Sequence, residues 1–206
     1  MKKQLTSRDK QAMETKRKLI QSAHRVFLHN GFDKTTVSQI IKDAGVGYGT
    51  AYVYFKNKHD IFVTIMGELM EQFFDVAKQE FRPETAEEAH SLIEKQVRDY
   101  MNLAINQRPM LRVVKNAIGS SEQIGEEWEN IRHEFIQGIT ADITYSQDKN
   151  LADASFDPII TAKSWYYMNE MYMWQFVESE SFELDPIVDQ LAMFYTKALY
   201  RHDGDG

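Results

Sequence analysis

The stretch TTVSQIIKDAGVGYGTAYVYFKNK, from Thr35 to Lys58, constrains this chain more than any other. Thr36 and Gln39 have the spacing of a capping box, in which the threonine oxygen accepts from the backbone N–H three residues on and the glutamine reaches back. A helix therefore starts at Val37. Val37, Ile40, Ile41 and Ala44 place apolar groups on one helical face, and Gly45 follows where a left-handed closing residue costs least. Val46 is placed to plug the core between two helices, Gly47 stands at an N-cap, and a second helix runs from about Tyr48 to Phe55. Upstream, Leu19, Ile20, Ala23, Val26 and Phe27 form an apolar stripe on a helix stopped by Asn30 and Gly31. Three helices thus share one small core. The glycine turn between the last two, with tyrosines on the final helix and lysines at its end, is the layout of a helix-turn-helix that presents a helix to DNA.

The charge distribution supports that reading. Residues 1–60 hold 12 Lys and Arg against 5 Asp and Glu, a net of +7, and the remaining residues hold 12 against 26, a net of −14, giving the −7 of the whole chain. A basic head supplies the phosphate attraction that dominates nucleic-acid affinity, and an acidic body keeps the rest of the surface off DNA. The averaged charge conceals this division.

Tyr48, Gly49 and Thr50 occupy the first turn of the recognition helix, the part that reaches base edges in this docking mode, so they are the base-reading candidates. Ala51 and Phe55 are assigned to the core. Residues 1–13 are polar and basic and read as a disordered arm, followed by a DNA-binding domain over 14–58 and a helical body over 59–206.

The head resembles the N-terminal domain of TetR-family transcriptional regulators. The residues that carry the resemblance are Gly31-Phe32, Thr35-Thr36-Val37, Ile40, Ala44-Gly45-Val46, Gly49-Thr50, Tyr52, Tyr54-Phe55 and Lys58, in the family's order and with its gaps. They span roughly a quarter of the chain. Two departures are Gly47, where serine is more usual, and Ala51, where leucine is common. The resemblance implies that Thr36, Tyr52, Tyr54 and Lys58 hold phosphates on either side of the groove, contacts that set register without reading sequence. Lys34, Lys42 and Lys56 add charge nearby.

Composition bounds the rest. With 206 residues and 43% hydrophobic content the chain has material for two modest domains. It has no cysteine, hence no disulfide framework or thiolate zinc site, and neither an apolar signal core nor a bilayer-spanning segment is evident. A soluble, cytoplasmic protein without membrane association or cofactor is expected. No alternating β-pattern occurs, so the fold class is all-α, with about nine helices. Periodicity predicts body helices over 60–81, 84–106, 109–117, 121–145, 158–179 and 186–200. Pro83, Pro109, Pro158 and Pro186 mark their starts, with Asp157 and Asp185 as N-caps before the last two.

The final helix keeps one broad apolar face through Ile187, Val188, Leu191, Phe194, Tyr195, Ala198 and Leu199, which demands burial. The helix before it is apolar around most of its circumference. In TetR-family proteins the two C-terminal helices pack against their copies, so the resemblance implies a homodimer with Ile187, Leu191, Phe194, Tyr195 and Ala198 in its interface. Two heads related by a two-fold axis match a pseudo-palindromic operator in double-stranded DNA. The alternative is a monomeric bundle with that helix at its centre.

The resemblance also implies a ligand cavity in the body, between the helix that follows the head and those after it. Met101, Met110, Trp128 and Phe135 are candidate lining, together with Trp165, Met168 and Tyr172. Asn169 and His133 are candidate polar contacts. Few cationic side chains are available, so the expected effector is an apolar small molecule, aromatic or acyl-bearing. The functional expectation is a repressor released from its operator by that effector. A different class of function is a nucleoid- or cell-cycle-associated DNA-binding protein whose body binds another protein. A helical metalloenzyme is the remote third: Glu87 and His90 share a helical face, but the pair occurs once, and His133-Glu134 lacks the second histidine of a zinc-binding helix. No catalytic or metal-binding residue is assigned.

Overall fold

The computed structural model describes residues 6–200. Among them it forms nine helices: α1 (Ser7–Lys34), α2 (Val37–Ala44), α3 (Tyr48–Tyr54), α4 (Lys58–Ala77), α5 (Ala86–Asn106), α6 (Arg108–Ser120), α7 (Glu122–Asp148), α8 (Pro158–Glu178) and α9 (Leu184–Leu199). The fold is all-α. It divides into two compact units, one comprising the described residues up to Leu69 with Arg112–Glu127, the other Met70–Leu111 with the described residues from Trp128. Helices α4, α6 and α7 contribute residues to both.

In the first unit α1, α2 and α3 pack on one another. Leu19, Ala23 and Phe27 of α1 meet Ile40 and Ile41 of α2 and Ala51 of α3 in a buried core. The Phe62 ring lies 4.9 Å from that of Phe27 and 4.8 Å from that of Phe32. Ser22 Oγ donates to the Ile40 carbonyl at 3.0 Å and also to Asp43, whose carboxylate accepts from Arg25 Nη2 at 2.6 Å. Those bonds hold the Asp43 carboxyl below its usual range, the serine contributing most.

Helix α1 begins earlier than expected. Thr6 Oγ1 accepts from the Asp9 amide at 3.2 Å and the Asp9 carboxylate accepts from the Thr6 amide at 2.9 Å, so a capping box draws residues 7–13 into the helix instead of a disordered arm. Residues 1–5 of that expected arm lie outside the described residues. At its other end α1 kinks at Gly31, with φ 74° and ψ 173°, and Thr35 Oγ1 donates to the Gly31 carbonyl at 2.7 Å. A Cβ there would meet nothing within 4 Å, so space is not the obstacle. The backbone is the obstacle, since this region of φ and ψ is open essentially to glycine alone. Gly31→Ala is expected to destabilise the protein by about 1–3 kcal/mol, read as a lowered midpoint in urea unfolding.

The capping box of α2 forms as read: the Gln39 amide donates to Thr36 Oγ1 at 3.3 Å, and Gln39 Oε1 accepts from the Thr36 amide at 2.8 Å. Gly45 closes the helix at φ 63°. Helix α4 starts at Lys58, before Asp60, because Asn57 Oδ1 accepts from the Asp60 amide at 2.9 Å and Asp60 in turn accepts from the Lys56 amide at 3.0 Å. It ends at Ala77, short of Phe81.

The second unit is built around α5, which packs against both α8 and α9. Ile93, Val97 and Met101 form its buried face. The prolines mark helix starts unevenly. Pro158 is the first residue of α8, behind Asp157, whose Oδ1 accepts from the Ile160 amide at 2.8 Å. Pro83 lies ahead of α5, where Thr85 is the N-cap. Pro186 is the third residue of α9, and Glu183 rather than Asp185 stands at the N-cap, while Asp185 pairs with Arg98 of α5. All four N–H groups of a first turn lack helical partners, so proline fits at several of these positions.

Candidate nucleic-acid interface and effector cavity

Helix α3 owes its orientation to two anchors. Ala51 is buried, and so is Phe55 at the C-cap, which turns the opposite side of the helix to solvent. On that side Tyr48 is 55% exposed and Val53 77%, with Tyr52, Gly49 and Thr50 also exposed. Tyr54 is half-buried. The structure therefore brings the base-reading candidates together on one open face. Val53 joins them, a residue the sequence reading did not select. Its signal was positional: it lies two residues from Ala51 and two from Phe55, off the buried face, yet is apolar.

The four phosphate candidates differ in their commitments. Thr36 is exposed at the start of α2, its oxygen accepting from the Gln39 amide. Lys58 Nζ donates to the Phe32 and Asp33 carbonyls at 2.9 and 3.0 Å and sits 4.5 Å from the centre of the Phe32 ring. Two of the three ammonium donors thus tie the start of α4 to the end of α1, leaving one for an outside acceptor. Lys34, Lys42 and Lys56 are exposed around these elements.

In the second unit a cavity of about 130 Å³ lies between α4, α5, α7 and α8. Phe74, Phe135, Trp165 and Tyr166 supply aromatic walls, and Tyr100, Asn169 and Asp142 supply polar groups. Burial pushes the Tyr100 and Tyr166 phenols up, and both stay protonated across the physiological range. Burial also pushes the Asp142 carboxyl up to about 6, against the attraction of Arg82.

The ligand candidates separate accordingly. Phe135, Trp165 and Asn169 line the cavity. Met101 and Met110 are buried and Met168 and Tyr172 half-buried, all four away from the lining, and His133 is exposed. Trp128 is also away from it: its Nε1 donates to Glu170 at 2.6 Å, and Arg132 Nε donates to the same carboxylate at 3.0 Å. The sequence reading missed Tyr100, Tyr166, Gly138 and Asp142. For α7 the signal was present, since Phe135, Gly138, Ile139 and Asp142 follow the three- and four-residue spacing of one helical face.

The dimer candidates also divide. Leu191 and Tyr195 are buried within the protomer, the Tyr195 ring stacking on Trp165 at 4.2 Å. Ile187 is half-buried, Ala198 is exposed, and Phe194 is 64% exposed. On α8, Ile160, Tyr167 and Met171 are exposed too. The outward rows 160, 167, 171 and 187, 194, 198 share one spacing.

Among the described residues no helix is long and apolar enough to cross a membrane, and no group of three His, Asp or Glu side chains could hold a metal ion. His90 Nδ1 instead lies 2.9 Å from Thr196 Oγ1.

Known proteins share both the head and the fold. Residues 19–65 match the family described as bacterial regulatory proteins, tetR family. The fatty acid metabolism regulator protein of Bacillus subtilis is 40% identical over 76 residues, which is 36% of this chain and 39% of that protein. The transcriptional repressor BepR of Brucella suis is 39% identical over 57 residues, 28% of this chain and 27% of that protein. The matches thus span well under half the length of these relatives. Two solved structures share the fold: a TetR transcription regulator from Haloarcula marismortui has a TM-score of 0.72 at 15% identity, covering 92% of this chain and all of that one. A SmeT–triclosan complex has a TM-score of 0.72 at 17% identity, covering 93% of each chain. Residues 19–65 thus form a domain of the family described as bacterial regulatory proteins, tetR family.

Proposed function

We propose that the chain is a homodimeric, cytoplasmic repressor that holds a pseudo-palindromic DNA operator until an apolar small molecule occupies the cavity between α4, α5, α7 and α8. The observation that carries this reading is the open face of α3, where Tyr48, Tyr52 and Val53 stand exposed beside Gly49 and Thr50. Gly49 lets the backbone approach the groove, the tyrosine hydroxyls offer hydrogen bonds, and Val53 offers an apolar contact suited to a thymine methyl. Thr36, Tyr54 and Lys58 meet the flanking phosphates. The matching outward rows on α8 and α9 support a four-helix dimer contact centred on Phe194 and Tyr167, with Ile187 and Ala198 beside them. A repressor among the relatives and a small molecule in a structure of the same fold support the two remaining parts.

Helix α4 supplies a physical route between ligand and DNA. It opens four residues after α3 ends, and Phe74 and Ala77 near its far end line the cavity. A ligand that shifts α4 changes the spacing of the paired recognition helices, and its effect on DNA equals its differential affinity for the two arrangements.

Tyr48→Ala is expected to cost roughly 1–3 kcal/mol at particular base pairs. Lys58→Ala is expected to weaken binding to all sequences and to reduce the slope of log affinity against log salt by about one. Operator titrations over a salt series check both, and unchanged affinity in the two variants would remove α3 and its flank from the interface. Phe194→Glu is expected to give monomers with much poorer operator binding, and a fully active dimeric variant would move the interface elsewhere.

A further inference from the structure

Three charged side chains line the cavity: Lys78, Glu134 and Asp142. Lys78 Nζ lies 3.3 Å from Glu134 Oε1, and both side chains are more than half exposed, so they form a neutral pair at the rim. Asp142 is different. It is half-buried on α7, and its carboxylate accepts no hydrogen bond and makes no ion pair among the described residues. The cation whose attraction it feels, Arg82, lies with its guanidinium 4.7 Å from the Tyr145 ring centre and donates to the Phe81 carbonyl at 2.6 Å. The cavity therefore carries one acidic group without a direct hydrogen-bond or ion-pair partner among the described residues, beside aromatic walls. Aromatic faces attract cations and a buried carboxylate favours one, whereas an anion placed there would meet Asp142 with no free cation in the lining. The volume of about 130 Å³ is close to that of a cavity that accepts benzene, so one ring fits without rearrangement.

We propose that the cavity's ligand is a small one-ring amine, whose ring stacks among Phe74, Phe135, Trp165 and Tyr166 and whose ammonium is received by Asp142. This rests on the effector reading above and changes its chemistry from a wholly apolar molecule to an aromatic one that also carries an ammonium. Binding should depend on pH through Asp142. The charged and titratable groups facing it are Lys78 on the α4 side, Arg82 after α4, Tyr100 on α5, Glu134 on α7, Tyr166 on α8, and Tyr195 and Tyr200 at α9. None is a histidine. With its carboxyl pushed up to about 6 by burial, Asp142 is the group that changes charge between pH 5 and 7.5.

The test uses the full chain and three probes of one shape, 2-phenylethylamine, 2-phenylethanol and 3-phenylpropionate, titrated calorimetrically at pH 7.5 and pH 5. The amine is expected to bind about tenfold or more tighter than the alcohol at pH 7.5, with the propionate weakest, and to lose several-fold of its affinity at pH 5. Asp142→Asn should erase the amine's advantage while leaving the alcohol unchanged. The same substitution should raise the melting temperature at pH 7.5 and leave it unchanged at pH 4. The sign follows from the raised carboxyl: its stabilising contribution is present below the unfolded value near 4 and is lost as pH rises through about 6. Gly138→Leu, at a wall position where an added Cβ meets nothing within 4 Å, should fill the cavity and weaken all three probes. Equal binding of amine and alcohol, a preference that survives in Asp142→Asn, or tightest binding of the propionate would each overturn the proposal. Alcohol binding abolished by Gly138→Leu would then still keep the cavity as a ligand site. Failure of every probe to bind overturns the amine reading, and operator release by a metabolite extract decides separately whether an effector exists.

Discussion

Replacing Phe62 with alanine is expected to unfold the head and abolish specific DNA binding. Phe62 is fully buried at the second turn of α4, and its ring contacts those of Phe27 and Phe32 on either side of the α1 kink. Truncating such a side chain removes its transfer energy and leaves a cavity, together about 3–5 kcal/mol. That is a large part of the roughly 5–15 kcal/mol by which a domain is stable. Val53→Ala is the control, since a 77% exposed side chain contributes little to folding and its loss should change stability by less than about 0.5 kcal/mol. Hydrogen exchange of the α1 to α3 amides separates the outcomes. Native protection in Phe62→Ala would show that the aromatic cluster does not hold the head.

Arg132→Ala is the second change with a large expected effect. Arg132 Nε lies 3.0 Å from both oxygens of Glu170, a carboxylate buried in α8 that also accepts from Trp128 Nε1. Removing the guanidinium strands a buried charge with one donor, which costs about 3–5 kcal/mol. The pair Arg132→Met with Glu170→Gln removes both charges and keeps an acceptor for the indole, so it should lose much less than the single change. Urea unfolding of the two variants measures the difference. Equal losses would assign the cost to packing rather than to the stranded charge.

The head was legible in the sequence because its determinants are local. The Thr36 and Gln39 pair, the left-handed Gly45 and the anchors Ala51 and Phe55 act within a few residues, and each stands as read. The start of α1 escaped notice because its capping partner is Asp9 instead of the usual glutamate or glutamine, inside a polar run. Pro186 misplaced a helix start by two residues because proline is tolerated at more than one position of a first turn. Lys58 was read for charge alone, yet its reach to the carbonyls of Phe32 and Asp33 depends on a contact some 25 residues back in the chain. The body was legible as helices but not as a cavity. Trp128 looked like pocket lining until a carboxylate 42 residues away claimed its indole, and nothing local to either residue announces that bond.

The most direct test of α3 as the base-reading element is selection from a random duplex pool by the purified protein, run in parallel with the Tyr48→Ala variant. The account predicts enrichment of a pseudo-palindrome whose half-sites lie about one DNA turn apart or a multiple of it, with the preference relaxed at specific positions in the variant. No enrichment, or the same motif from both proteins, would contradict it.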